Sequence, residues 1–207
     1  MEREPARKID KGRRAWYTIG RIQPEKALQQ ERNTQMNTDW NGPEGEFETA
    51  EKQGELLMLL SSRQVTVHTG EEPDFDYMEP EDLALVVENP RGGEDLLIEL
   101  CAEFSVFFET WHGSYKATEA EYQRMVKEIT AILEGRAAVM SLCAGGNWLA
   151  GVLCPEAPAG DADADSLLGR PEVLPGMAET LRRQGGRIRL VHWDPARDRV
   201  VEVAPQN

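Results

Sequence analysis

Trp111, His112, Ser114 and Tyr115 fall within the five residues WHGSY. An imidazole within reach of a hydroxyl can act as a general base, and serine or tyrosine can supply the oxygen it activates. Spacing limits that chemistry. In an extended chain adjacent side chains point to opposite faces and i,i+2 neighbours share one. His112 and Ser114 therefore face together only if the strand runs on through Gly113. The strand-to-helix serine turn of hydrolases, GxSxG, is absent from the chain. No catalytic residue is assigned. Trp111, His112 and Tyr115 are read as a pocket set. His192, which like His112 adjoins a tryptophan, is its outlying member.

The chain has three histidines, His68, His112 and His192, each at the end of a strand-like run. None lies two or four residues from another, so ligand spacing gives no metal site. Asp161, Asp163, Asp165 and Glu172 occupy positions one, three, five and twelve of a calcium-loop pattern. Ser166 stands where the tight turn wants glycine, Pro171 stands at position eleven, and CPEAPAG cannot be an entering helix. The segment reads as a solvated acidic loop. Neither a metal nor another cofactor is expected.

Residues 71–82 hold seven acids with Phe75, Tyr77 and Met78 among them, and Pro73 and Pro80 make the segment a loop. Rings can anchor a contact that carboxylates steer. Glu71, Glu72, Asp74, Phe75, Asp76, Tyr77 and Glu79 are therefore read as a protein-binding surface.

The elements that must hold these residues come from periodicity. Residues 46–60 have helical spacing, and 64–69 and 83–88 read as strands. Residues 96–101 and 104–111 read as a hairpin around Ala102-Glu103, with Glu109 and Trp111 on the second strand. Residues 118–135 form the clearest helix. Thr118 and Glu121 suit a capping box, Tyr122, Met125, Ile129 and Ile132 make an apolar stripe, and Gly135 is a stop. Strands follow at 137–143 and 148–154, a helix at 172–184, and strands at 187–193 and 199–203. Hairpins outnumber crossovers. The expected fold is α+β, a largely antiparallel sheet with two or three helices packed on it.

The chain has 207 residues and a net charge of −14. Residues 1–35 carry nine basic and five acidic residues, and 36–207 carry 14 and 32. The division predicts a basic, loosely docked arm over 1–45 and one α+β domain over 46–207. A body at −18 repels phosphate, so nucleic acid is not an expected partner, and a basic protein is. No apolar run is long enough to span a bilayer, so no membrane partner is expected. Cys101, Cys143 and Cys154 cannot all pair within the chain and read as reduced, buried thiols of a cytoplasmic protein.

The run LLIELCAEFSVFFETWHGSY, with the Tyr122-containing helix ending Ile132-Leu133-Glu134-Gly135, resembles small bacterial proteins, some of them immunity proteins of toxin systems. The resemblance covers residues 95–154. It implies a non-enzymatic protein that occludes a partner. Such proteins often carry a second histidine just after the Trp-His pair, where this chain has Gly113, Ser114 and Tyr115. The alternative expectation is a small-molecule-binding domain or hydrolase using a Trp111/His112/Tyr115 pocket.

Overall fold

A computed structural model describes residues 47–206. The predicted arm over 1–45 lies outside the described residues. The rest is α+β, with two antiparallel sheets where the sequence suggested one. A short 3-10 turn, Thr49–Lys52, leads into α1, Gln53–Leu59. Five strands then run as a meander in sequential order: β1 Val65–Thr69, β2 Leu83–Val87, β3 Leu96–Leu100, β4 Phe104–Phe108 and β5 Trp111–Tyr115. Helix α2 spans Glu119–Leu133. After it come β6 Ala138–Ala144, β7 Asn147–Cys154, α3 Ala164–Leu168, α4 Pro175–Gln184, β8 Gly186–Val191 and β9 Arg199–Val203. The second sheet has the order β7-β6-β8-β9.

Binary patterning explains the first sheet. Leu85, Val87, Leu96, Ile98, Leu100, Phe104, Val106 and Phe108 share one face and are almost fully buried. They pack with Leu56 of α1 and with Tyr122, Met125, Ile129 and Ile132 of α2. Burial of each such side chain contributes about 1.5–3 kcal/mol. A second core lies under the other sheet, where Met140, Leu142, Ile188 and Leu190 meet Leu167 and Leu168 of α3 and Ala178 and Leu181 of α4. Val139, Val191 and Trp193 belong to the first core, so the second sheet contributes to both.

Helix α2 starts and stops where the sequence says, with one change. The Thr118 side chain accepts from the Glu121 amide at 3.4 Å. The reciprocal half of the capping box is missing, because the Glu121 carboxylate accepts from Arg124 instead. At the other end Gly135 has φ 71°. The Arg136 amide donates to Ala131 and the Gly135 amide to Ile132, the paired closure that a left-handed glycine permits.

The predicted long strand over 104–111 is corrected. It breaks after Phe108, and Glu109-Thr110 form a two-residue turn into β5. Glu109 is the one described non-glycine residue with positive φ, 55°. Trp111 therefore lies opposite Phe108 on the core face, whereas an unbroken strand would set it on the outward face with Phe107 and Glu109. The helix expected over 172–184 begins at Pro175, with Leu174 as its cap residue.

Candidate functional site

β5 continues through Gly113, and its alternation sorts the WHGSY residues. Trp111, Gly113 and Tyr115 lie on the core face, in register with Phe108, Val106 and Phe104. His112 and Ser114 lie on the outward face. There the His112 ring stacks on Phe107 at 4.4 Å, and its Nε2 is 3.3 Å from Ser114 Oγ. The His112–Ser114 pairing that the sequence made conditional is thus formed. Of the expected Trp111/His112/Tyr115 pocket set, Trp111 and His112 line one groove, while Tyr115 is buried with its ring on the opposite face from His112.

Gly113 has a mechanical reason. A Cβ there would meet the Tyr115 hydroxyl at 2.5 Å and the Trp111 ring at 2.7 Å. The two aromatic rings close over the bare glycine, as aromatic residues shield glycines on edge strands. Tyr115 is 1% exposed, and its hydroxyl donates to Glu128 Oε2 at 2.5 Å. Burial first, then the Glu128 hydrogen bond, pushes the phenol far above its ordinary range. It stays protonated as a donor. The Arg124 guanidinium lies 4.4 Å over the same ring and bonds Glu121 and the Ser114 carbonyl.

β5 and β7 are edge strands of the two sheets. They meet where a Cβ on Gly151 would fall 2.1 Å from the Thr110 carbonyl oxygen. Beside this contact opens a groove of about 630 Å³. One wall holds Trp111, His112, Gly113, Ser114, Arg124 and Glu128. The other holds Val152, Leu153, Glu172, Leu174 and Met177. Glu109 ties the junction by accepting from Arg189 at 2.5 Å. His192 is elsewhere, 4% exposed after β8, its Nδ1 3.7 Å from Asp198. Desolvation, then the Arg197 charge, lowers its pKa below the usual histidine value.

The acidic segment over 71–82 is a string of turns. The Glu72, Phe75, Met78 and Asp82 amides each donate to the carbonyl three residues earlier. The segment lies against the outward face of the first sheet. Phe75, 4% exposed, stacks on His68 of β1 at 4.5 Å, and Met78 is 7% exposed. His68 Nδ1 is 2.7 Å from Glu72 Oε2, and Tyr77 donates to Glu99 of β3 at 2.6 Å. Phe75 is thereby corrected as a contact residue: its ring is spent inside the fold. Glu71, Asp74, Asp76 and Glu79 stay exposed, and Glu72 is half-buried by its histidine.

The histidines do not converge. His68 and His112 lie on opposite edge strands of the first sheet, and His192 follows a strand of the second. In the calcium-like segment Asp163 caps α3 by accepting from the Ser166 amide, Asp165 pairs with Arg182, and Glu172 pairs with Arg170. All three cysteines are free thiols. Cys154 alone is fully buried, and burial raises its pKa to about 11. Cys101 and Cys143 are half-buried, short of the burial expected of them. No described helix is long and apolar enough to cross a membrane.

Sequence reasoning missed Glu99 and the β7 wall. Glu99 carried a signal, a lone carboxylate in the apolar run LLIEL. Leu174 and Met177 carried none, because their place depends on how the two sheets meet. No family model, curated protein or solved structure matches the chain.

Proposed function

We propose that this chain is a non-enzymatic, cytoplasmic interaction domain that binds a basic protein through its acidic surface. The resemblance over 95–154 points to an immunity or antitoxin type. One observation carries the reading: residues 64–109 contain thirteen acids and a single basic residue, Arg91, a net charge of −12. That charge lies on the first sheet and its connections. Phe75, Met78 and Tyr77 pin the richest segment, so Glu71, Asp74, Asp76, Glu79 and Glu81 project from a fixed platform. A pre-ordered surface loses little entropy on binding, and concentrated charge speeds and orients encounter. Nucleic acid is disfavoured by the same charge. The pocket alternative keeps Trp111 and His112, which line one groove, but not Tyr115, whose ring is buried on the other face of β5. Capture from a bacterial lysate tests the reading. A basic protein held at about 50 mM salt should elute at several hundred millimolar as screening shortens the reach of the charges. Capture that ignores salt, or that yields no basic protein, refutes it.

A further inference from the structure

The groove between the two edge strands lies apart from the acidic platform. Its walls are mixed in chemistry. Trp111 is half-buried on one side. On the other, Leu174 is 60% exposed beside the half-buried Met177. An exposed leucine beside a tryptophan and an adaptable methionine gives a small apolar clamp, the composition that dominates binding energy at interfaces. Among the lining carboxylates, Glu172 is fully engaged by Arg170 at 3.1 Å. Glu128 is not. Its Oε2 accepts from Tyr115, but the donor to its Oε1, Arg124 Nη1, stands at 3.4 Å. That is the outer limit of a hydrogen bond. Arg124 spends its shorter bond, 2.6 Å, on Glu121. Glu128 Oε1 on the groove wall is thus held by a long bond from Arg124 that a closer cationic donor can displace, close to an apolar clamp.

We propose that this groove takes a short stretch of the partner in which an apolar side chain is followed by a lysine or arginine. The apolar group sits between Trp111, Leu174 and Met177, and the cation reaches Glu128 Oε1. The inference rests on the basic-partner reading and adds a second contact to it. The platform attracts by charge at a distance, and the groove fixes register by shape and a single ion pair.

The test uses the full chain and three short synthetic peptides: alternating leucine and arginine, serine and arginine, and leucine and glutamate. The readouts are the NMR signals of the Trp111 indole and the Met177 methyl, assigned through Trp111→Phe and Met177→Leu. The leucine–arginine peptide should move both signals. The other two should move them at least several-fold less. Leu174→Ser, at an exposed position that tolerates polarity, should weaken the leucine–arginine peptide about tenfold. Shifts confined to residues 71–82 overturn the groove and leave the platform standing. Equal shifts with leucine–glutamate, or unchanged affinity in Leu174→Ser, also overturn it. A leucine–arginine peptide that moves no signal anywhere removes both readings.

Discussion

Gly113 shows what one residue type can decide. A methyl at this position collides with a phenol oxygen and an indole ring at once. Gly113→Ala should cost about 1–3 kcal/mol, the usual penalty for overpacking, seen as a lower urea midpoint with an unchanged slope. His192 makes a pH prediction at the same scale. Its folded pKa is depressed, so the unfolded chain binds the proton first. Stability is whole above the ordinary histidine range and is lost as pH falls through it. Urea midpoints should drop between about pH 7.5 and 5.5. The drop should shrink in His192→Asn, which cannot take up a proton. Glu72 and Asp163 have lowered pKa values and titrate below that window, so they do not account for it. If wild type and variant lose equal stability, His192 is not the titrating group.

Elements were legible in proportion to how local their causes are. α2 needs only its own stripe, cap and glycine, and the sequence places it to within two residues at either end. The β4–β5 turn was missed because nothing in Glu109-Thr110 marks a turn: glutamate at φ 55° is held there by Arg189, 80 residues away. The acidic segment read correctly as a loop, and Tyr77 is exposed as a contact residue should be, but Phe75 reads the same way and is buried. Residues that interleave with acids in a loop give no period from which to infer burial. Only the tertiary fold shows Phe75 closing on His68. Phe75→Ala should therefore cost about 3 kcal/mol and free the segment. Amide hydrogen exchange should quicken over residues 72–82 and stay unchanged in α2. Uniform quickening throughout the domain would mean that the ring holds the whole fold and not the segment.

At the scale of the whole molecule the charge is divided. Residues 64–109 hold a net −12, whereas residues 182–199 hold six arginines against two aspartates. Total charge was plain in the sequence. Its concentration on one sheet became plain only when β1 to β4 and their connections assembled as neighbours. The groove was least legible, since its walls come from β5, α2, β7 and α4. The central claim is that the pinned carboxylates bind a basic protein. It is tested most directly by replacing Glu71, Asp74, Asp76, Glu79 and Glu81 with their amides and repeating lysate capture beside wild type. The five are exposed, so the thermal midpoint should hold while the basic protein disappears from the captured set. The same protein captured in equal amount by the neutralised variant would contradict the account.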